Sequence, residues 1–319
     1  MYPRRKTHDV TTALITHAAC LEHDPGPYHP ECPDRLRAVL KALGSPEFDA
    51  LLRFEAPRAT MEQLMRVHPQ KMVEAILAIR PEAGDVQNID ADTAMSHGSA
   101  EAALRAAGAA VHAVDLVMDG SVSNAFAAVR PPGHHAEPNR PMGFCLFNNA
   151  AVAARHAQKA HGLARVAAVD FDVHHGNGTQ ALFAEDPGLF YASSHQSPFY
   201  PGTGEAWERG GSNNIINVPL RARDGSAAFR DAWAATIIPE LSAFAPDLLI
   251  ISAGFDAHRE DPLAQIRLET EDFAWITEAL LAVGREHCKG RVVSVLEGGY
   301  DLDALAAAAA VHVRGLMAA

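Results

Sequence analysis

Histidine, aspartate and tyrosine side chains that could bind a metal or move a proton are concentrated in four short segments, residues 130–135, 170–178, 253–256 and 297–300. Asp172 and His174 are two positions apart, so on an extended backbone both side chains point to the same side. With Asp256 they make a set of one imidazole and two carboxylates. Three protein ligands with room left for water are typical of a catalytic zinc site. An Asp-x-His motif alone indicates only a loop with a polar cap, so the zinc hypothesis depends on the other segments.

Two adjacent histidines, His134 and His135, follow a Pro-Pro-Gly sequence that stiffens the backbone and then turns it. One imidazole of such a pair can act as a base while the other stays protonated as an electrostatic partner. Asp170 and Asn177 flank the metal segment, and hydrogen bonds to them would orient the two rings. The alternative is a pair of solvated loop histidines, which is common in a chain with 17 histidines. The sequence does not decide which histidine is the base and which the acid.

Tyr300 follows Gly298 and Gly299, and two glycines allow a tight turn that projects the phenol into a site. Its hydroxyl can donate a hydrogen bond to an oxyanion as that charge develops. A tyrosine after a glycine pair is more often a packed aromatic residue, so this role depends on the company of the other segments.

Each of the four segments follows directly on a short apolar run that is typical of a buried strand. The predicted strands are 13–15, 125–129, 165–169, 248–252 and 292–296. The predicted helices, which have apolar residues at helical spacing, are 100–117, 149–160, 227–244 and 273–286. This alternation predicts an α/β fold with a central parallel sheet flanked by helices. Ligands bind at the carboxyl edge of such sheets, so the four segments are expected to converge.

The rest of the sequence favours a single domain over residues 1–319, since it contains neither an internal repeat nor a low-complexity linker. An early loop, rather than a regular element, is predicted by Pro25, Pro27, Pro30 and Pro33. The alanine-rich stretch 304–310 is too short to span a membrane and predicts a buried helix.

Composition and charge narrow the classes of protein to which the chain can belong. Hydrophobic residues make up 48% of the 319 residues and charged residues 21%, so a core can form without disulfides. The formal net charge of -12 argues against nucleic-acid binding, which needs a basic surface, and is compatible with a cationic substrate.

Cysteine usage and the amino terminus favour a cytoplasmic location. Cys20, Cys32, Cys145 and Cys288 lie far apart without a Cys-x-x-Cys pair, which is typical of reduced thiols. Residues 1–8 are basic, but the segment after them is too polar for the apolar core of a signal peptide. No stretch reaches the roughly 18 to 20 apolar residues of a membrane span.

Taken together, the motifs resemble those of the histone deacetylase superfamily, in its bacterial deacetylase and acetylpolyamine amidohydrolase branch. The resemblance runs from His-Pro-Glu-Cys-Pro-Asp-Arg-Leu at residues 29–36 to Glu-Gly-Gly-Tyr at residues 297–300, nearly the whole chain. Between these ends, five motifs occur in family order: Arg-Pro-Pro-Gly-His-His-Ala, Gly-Phe-Cys-Leu-Phe-Asn-Asn, Asp-Phe-Asp-Val-His-His-Gly-Asn-Gly-Thr, Pro-Gly-Thr-Gly and Ser-Ala-Gly-Phe-Asp.

The resemblance implies an arginase-like α/β fold with a catalytic zinc ion. The implied zinc ligands are Asp172, His174 and Asp256. His134 and His135 resemble the family's tandem histidines, and Tyr300 resembles the residue that polarises the substrate carbonyl. Asn177 stands where one branch of the family has a second aspartate, which favours the class II type.

Several further roles are implied in the same way. A narrow substrate tunnel would be walled by Gly143, Phe144, Tyr200 and Leu263. Arg35 resembles an arginine below the zinc, beside an acetate exit channel. A monovalent cation, potassium or sodium, is implied near Asp170, Asp172, His174 and Ser193. Leu263 stands where a polyamine-selective relative carries a glutamate, which argues against that mechanism of selectivity.

The activity implied is zinc-dependent hydrolysis of an N-acetyl amide to acetate and a free amine. The substrate would be acetyl-lysine or a similar small acetylated amine. One alternative is an acetylpolyamine amidohydrolase, and Asp90 and Asp92 are candidate rim acids that would separate the two substrates. A second alternative is a metal-binding or ligand-binding module without turnover, because fold does not fix function. The sequence leaves open the physiological substrate, the native metal if it is not zinc, and whether the chain forms a homo-oligomer.

Overall fold

Parallel strands form the central sheet of the protein, whose computed structural model describes residues 10–319. The strands are β1 (Thr12–Thr16), β2 (Leu52–Glu55), β3 (Val86–Asn88), β4 (Ala94–Ser96), β5 (Asn124–Ala127), β6 (Val166–Asp170), β7 (Leu189–Gln196), β8 (Ile215–Leu220), β9 (Leu248–Ala253) and β10 (Val292–Leu296). The main sheet has the order β2-β1-β5-β10-β9-β6-β7-β8, and all of its neighbouring strands are parallel. A small antiparallel sheet pairs β3 with β4. The basic segment 1–8, for which the sequence predicts no signal peptide, lies outside the described residues.

Helices connect most of these strands. The α-helices of the described chain are α1 (Pro33–Ala42), α2 (Met61–Met65), α3 (Gln70–Ala78), α4 (Ser99–Met118), α5 (Asn149–His161), α6 (Asn177–Phe183), α7 (Ser226–Ala232), α8 (Ile238–Phe244), α9 (Thr270–His287) and α10 (Leu302–Met317). A π-helical segment, Trp233–Ile237, joins α7 to α8 without a break.

The four central strands β5, β10, β9 and β6 are buried along their whole length. Successive side chains of a strand point to opposite faces of the sheet, so complete burial means that both faces are covered. Helices α4 and α5 pack on each other and on central strands, and α1, α9 and α10 form a second packed group. This two-sided cover explains why each central strand is a continuous apolar run in the sequence.

Helix α5 has a well-defined start and end. Asn148 caps the helix, because its side-chain oxygen accepts from the backbone N–H of Ala151 at 2.9 Å. The helix ends at Gly162, whose left-handed φ of 66° favours glycine. The amide nitrogen of Asn148 also donates to the carbonyl of Ala136 at 3.2 Å, so the cap supports the loop that carries the histidine pair.

The predicted α/β fold with a central parallel sheet is confirmed. The five predicted strands correspond to β1, β5, β6, β9 and β10, with ends that agree within two residues. The sequence does not predict β2, β7 and β8. Strand β2 lies at the edge of the sheet and is largely exposed, whereas β7 ends in Ser-Ser-His-Gln and β8 contains Asn217 and Pro219. Polar residues at these positions hide the apolar pattern on which strand prediction depends.

The structure decides two local predictions, the early proline-rich loop and the alanine-rich helix. The predicted proline-rich loop is wrong at its end, because Pro33 is the first residue of α1. Proline suits that position, since the N–H it lacks would be unpaired in the first turn of a helix. The predicted helix 304–310 is confirmed as the amino-terminal half of the longer α10. Among residues 10–319, no helix is both long enough and apolar enough to cross a bilayer.

Candidate metal centre and active site

The carboxyl ends of four neighbouring strands meet at one edge of the sheet. Strands β5, β10, β9 and β6 are adjacent and parallel, so the loops that follow them begin side by side. These loops carry the segments 130–135, 297–300, 253–256 and 170–178 that the sequence singles out. Segments separated by more than a hundred residues therefore converge at one place, as the sequence predicts.

Asp172, His174 and Asp256 are all buried and bring three potential ligand atoms together. The Nδ1 atom of His174 lies 3.2 Å from Oδ1 of Asp172 and 3.1 Å from Oδ2 of Asp256. A tetrahedral zinc ion with bonds of about 2.0–2.2 Å separates its donors by roughly 3.3–3.6 Å, so shifts of a few tenths of an ångström give coordinating geometry. The donor set and its spacing fit zinc.

The other oxygen of each aspartate is held by the backbone. Oδ2 of Asp172 accepts from the N–H of Gly298 at 2.8 Å, and Oδ1 of Asp256 accepts from the N–H of Val173 at 2.8 Å. The remaining two oxygens face His174: Oδ1 of Asp172 accepts from its backbone N–H at 2.9 Å, and Oδ2 of Asp256 lies 3.1 Å from its Nδ1. Burial first, and then the charge of Asp172, raise the pKa of Asp256 to about 7. A cation between these atoms would relieve the repulsion.

The backbone between Asp172 and His174 is bent rather than extended, which corrects the premise of the sequence-based argument. Strand β6 ends at Asp170, and residues 172–174 form a bend. The N–H of His174 donates to Oδ1 of Asp172 at 2.9 Å and closes this turn. The two side chains converge because of the turn and not because of strand alternation.

Gly298 brings the end of β10 against both carboxylates. A Cβ atom at this position would lie 2.1 Å from Oδ2 of Asp256 and 2.6 Å from Oδ2 of Asp172. Any side chain at residue 298 would therefore push the two aspartates apart. The close approach also explains how the N–H of Gly298 reaches Asp172.

The adjacent histidines face different partners. Nδ1 of His134 lies 2.9 Å from Oδ2 of Asp170, and Nδ1 of His135 lies 2.8 Å from Oδ1 of Asn177. The ring centroids of the two histidines are 4.0 Å apart, and both side chains are buried. The structure thus pairs one imidazole with a carboxylate and the other with a neutral amide.

This difference in partners separates the basicities of the two rings. Burial lowers the pKa of His134, but the charges of Asp172 and Asp170 outweigh burial and raise this pKa well above its usual value. Burial, followed by the positive charges of His134 and His174, lowers the pKa of His135 well below its usual value. The pair therefore favours one protonated and one neutral imidazole.

Tyr300 lies in the loop after β10. Its backbone N–H donates to Oδ2 of Asp261 at 2.7 Å, and the guanidinium carbon of Arg35 lies 4.7 Å from the centre of its ring. Burial raises the pKa of the Tyr300 hydroxyl well above its usual value, although the charge of Arg35 opposes this shift. The phenol is thus kept as a neutral hydrogen-bond donor.

A narrow pocket of about 80 Å³ opens above these residues. Its walls include the four residues that the sequence assigns to a tunnel, and also a histidine of the adjacent pair, the tyrosine and one proposed metal ligand. The lining residues are Asp92, His135, Gly143, Phe144, His174, Tyr200, Leu263 and Tyr300. The rings of Phe144 and Tyr300 are 5.9 Å apart, and those of His135 and Tyr200 are 5.1 Å apart. Gly143 has a φ of 57°, and a Cβ there would lie 2.5 Å from the His135 ring. Aromatic walls and a missing side chain thus shape the pocket.

Arg35 is fully buried beneath Tyr300. It donates to the carbonyl oxygens of Gly299 and Glu297, each at 2.5 Å, and to Oε1 of Glu31 at 2.9 Å. The same glutamate accepts from the buried Arg130. A position below the metal and a role in acetate exit both stay predictions for Arg35.

The residues assigned to a monovalent cation lie next to one another. Ser193 on β7 is paired in register with Asp170 on β6, and Oδ1 of Asp170 accepts from the N–H of Asp172 at 3.1 Å. The hydroxyl of Ser193 lies 2.9 Å from Nδ1 of His195. Binding of potassium or sodium at this place stays a prediction.

Sequence reasoning misses several residues that support the site. The carboxylate of Glu297 accepts from the N–H groups of Gly133 at 2.6 Å and His134 at 3.2 Å, and so ties the histidine loop to β10. Glu31 and Arg130 form a buried ion pair, although 99 residues separate them. Glu297 and Arg130 both stand in the segments that the sequence singles out, and that position was the available signal. For Glu31, the sequence contains no signal except its place in the motif at residues 29–36.

Comparisons with known proteins agree with this geometry. The sequence profile of the histone deacetylase domain matches residues 29–316. The chloroplastic histone deacetylase 14 of Arabidopsis thaliana is 39% identical over 91% of this chain and 73% of its own length. A histone deacetylase-like amidohydrolase of Pseudomonas aeruginosa is 36% identical over 91% of this chain and 82% of its own length.

A solved structure gives the same result for the fold. The crystal structure of the HDA15 HD domain superposes with a TM-score of 0.91 at 37% sequence identity, and covers 97% of this chain and 89% of that one. The chain therefore belongs to the histone deacetylase family, and its fold is the arginase-like α/β fold of that domain. It is an amidohydrolase of this family, in agreement with the resemblance seen in the sequence.

Proposed function

We propose that the protein is a zinc-dependent deacetylase that hydrolyses an N-acetyl amide and releases acetate and a free amine. The observation that carries this proposal is the convergence of three donor atoms, spaced at 3.1 and 3.2 Å about His174 Nδ1, at the base of a narrow pocket. That pocket is also lined by His135 and Tyr300, which can move a proton and stabilise an oxyanion.

Asp172, His174 and Asp256 would hold the ion. Zinc bound there supplies Lewis-acid polarisation of a carbonyl and activation of water. The histidine pair, supported by Asp170 and Asn177, would take a proton from the attacking water and return one to the departing amine.

The Tyr300 hydroxyl would donate to the carbonyl oxygen as negative charge develops on it. Because Tyr300 follows β10 and the metal ligands follow β6 and β9, each group is held by a different strand end. The substrate carbonyl would therefore lie between a donor on one side and the ion on the other.

The pocket favours an acetamide on a slim aliphatic stem. Its volume is about 80 Å³, and Phe144 and Tyr200 contribute aromatic walls that suit a chain of methylene groups. The acetyl-lysine side chain and a small acetylated amine both have this shape. Leu263 adds an apolar wall where an acidic side chain would have favoured a polyamine.

Aspartate side chains lie at the rim of the pocket, and they favour substrates with positive charge or exposed N–H groups. Asp92 lines the pocket, and its Oδ1 accepts from the N–H of Gly143 at 3.2 Å. Asp90 lies two residues before it, and its own Oδ1 accepts from the N–H of Asp92 at 3.1 Å. These acids keep an acetylpolyamine amidohydrolase as the alternative function.

A direct comparison of substrates tests the proposal. Purified protein stripped of metal by a chelator is expected to be inactive, and added zinc should restore hydrolysis of an acetyl-lysine peptide more effectively than that of acetylspermidine. A preference for acetylspermidine would favour the polyamine alternative. Zinc binding without any hydrolysis would favour a binding module, and full activity of metal-free protein would contradict the metal-dependent mechanism.

Three further expectations stay predictions beside this proposal. They are a bound potassium or sodium ion, a cytoplasmic location and a homo-oligomer. All four cysteines are free thiols, which supports a reducing compartment.

A further inference from the structure

A chain of hydrogen bonds leads from the histidine pair toward the protein surface. Nδ1 of His135 lies 2.8 Å from Oδ1 of Asn177, and Nδ2 of Asn177 donates to Oε1 of Glu137 at 2.9 Å. Oε2 of Glu137 is in turn 3.2 Å from the guanidinium of Arg140. His135 and Asn177 are buried, whereas the side chain of Glu137 is 31% exposed.

The amide of Asn177 can in principle face either way, because its oxygen and nitrogen have nearly the same shape. Its partners decide the orientation, since the oxygen only accepts and the NH₂ group only donates. Glu137 offers carboxylate oxygens, which accept. The sulfur of Met142, 3.4 Å from Nδ2 of Asn177, also accepts. With two acceptors on one side, the NH₂ group must face Glu137 and the oxygen must face His135.

This orientation has a consequence for His135. An amide oxygen at 2.8 Å from Nδ1 requires that Nδ1 carry the ring hydrogen. In the neutral ring, Nε2 is then left with a free lone pair, and His135 is one of the side chains that line the pocket. An amide turned the other way would place an N–H against Nδ1 and would favour the opposite tautomer, with its hydrogen on Nε2.

The backbone fixes the position of Glu137 relative to Asn177. Residues 137 and 140 form an isolated antiparallel bridge, in which the N–H of Glu137 donates to the carbonyl of Arg140 at 2.9 Å. Arg140 also approaches the sulfur of Met142 at 3.0 Å. The turn thus fixes both acceptors on the side of Asn177 away from His135.

We propose that Glu137 is a positioning residue that sets the amide orientation of Asn177 and, through it, the tautomer of His135. Glu137 is not one of the residues that line the pocket and would act through Asn177. The kinetic test of this inference rests on the proposed function, whereas the tautomer itself can be measured without any substrate.

The test is a double-mutant cycle in which the change in kcat caused by Glu137→Gln is expected to have opposite signs in two backgrounds. Glu137→Gln replaces an obligate acceptor by an amide that can also donate, so it loosens the orientation of Asn177, and kcat is expected to fall about 10-fold with little change in KM. Asn177→Asp alone sets two carboxylates about 2.9 Å apart, the distance that now separates amide nitrogen and carboxylate. This variant should lose more activity than Glu137→Gln.

In the Asn177→Asp background, Glu137→Gln should raise kcat, because the new amide can donate to the introduced carboxylate. One substitution would then lower kcat in one background and raise it in the other. A merely structural role would give the same sign in both, and that outcome would overturn the proposal. Glu47→Gln is the matched control, since Glu47 pairs with Arg314 in an exposed position far along the chain.

Nuclear magnetic resonance of the ring nitrogens gives the second readout. In the zinc-loaded wild-type protein, His135 is expected to carry its hydrogen on Nδ1, and Glu137→Ala should produce a mixture of tautomers. An unchanged tautomer in Glu137→Ala would contradict the proposal even if activity fell. If the wild-type protein hydrolyses no acetylated substrate, the proposed function fails while this measurement still decides the role of Glu137.

Discussion

Two groups in this molecule combine histidine with aspartate in the way that a metal site requires, yet they differ in how much negative charge they bury. One group is Asp172, His174 and Asp256 at the strand ends. The second group, here called the helix group, consists of Asp115 on α4 and of His156 and His161 on α5. Both gather three potential ligand atoms within 4.8 Å of one another.

In the helix group, hydrogen bonds account for every contact. Nε2 of His156 and Nε2 of His161 each lie 2.7 Å from the same oxygen of Asp115. The guanidinium of Arg66 lies 3.1 Å from Nδ1 of His156, and because arginine can only donate, Nδ1 must accept. The hydrogen of the neutral His156 ring is therefore on Nε2, where it donates to Asp115 and leaves no lone pair for a metal.

At the strand ends, two carboxylates surround a single histidine, so negative charge is in excess even if that ring is protonated. Two carboxylate oxygens face one ring nitrogen, and both aspartates are fully buried. Asp115, by contrast, is 43% exposed, so water can complete its hydrogen bonding. Residue types and proximity therefore do not define a metal site. The strand-end group differs by its excess of buried negative charge, which raises the pKa of Asp256 to about 7.

The largest expected effect separates the two groups by metal content. Asp256→Ala removes one of the three proposed ligands, so the protein should lose its zinc and its hydrolytic activity should fall to background. Asp115→Ala should keep the zinc content of the wild type. Metal analysis of the purified variants, with circular dichroism to check folding, measures both results. Unchanged zinc in Asp256→Ala would remove Asp256 from the ligand set, and lost zinc in Asp115→Ala would reverse the comparison.

A smaller effect is expected where a residue serves the reaction but not the metal. Tyr300→Phe removes the hydrogen bond that Tyr300 is proposed to make mainly in the transition state, and kcat should fall on the order of 100- to 1,000-fold. Zinc content and KM should change little, because ground-state binding does not use that bond. Steady-state kinetics and metal analysis test this, with Tyr28→Phe, at a fully exposed tyrosine, as the control. A variant with near wild-type turnover, or one without zinc, would show that Tyr300 has another role.

The smallest effect is expected at the helix group, and it concerns stability alone. Asp115→Ala removes the shared acceptor of two histidines that join α4 to α5, so the free energy of unfolding should decrease by about 1 kcal/mol. Because Asp115 is partly exposed, water replaces part of what is lost. Urea denaturation measures the change, and kcat should stay at the wild-type value. A fall in kcat would connect the helix group to the active site and would contradict a purely structural role for Asp115.

The parts of the fold that sequence predicts are those where burial is complete. Strands β6, β9 and β10 are unbroken apolar runs because helices cover both of their faces. Strand β7 is equally buried, but Ser193 and His195 satisfy each other through a hydrogen bond inside the protein. A buried polar pair of this kind cannot be told from an exposed loop until the partner is known.

The same limit applies to the site. Asp172, His174 and Asp256 follow predictable strands, so their convergence can be expected from sequence. The turn that brings Asp172 and His174 together is not visible there, because it depends on a contact between a side chain and the backbone N–H of His174. Glu297 and Glu137 are missed for a similar reason, since their roles consist of contacts with atoms 164 and 40 residues away in sequence.

The glycine at residue 298 gives the metal centre a mechanical connection to the carboxyl-terminal part of the chain. Its N–H donates to Asp172, which follows β6, and Asp256 follows β9. The loops after three adjacent strands, β10, β9 and β6, therefore meet at the proposed metal centre. The docking of β10, and of α10 that follows it, positions the proposed ligand Asp172. An ion that binds only the docked arrangement would stabilise that docking by mass action. Zinc occupancy and protection of the β10 amides from hydrogen exchange should therefore rise and fall together.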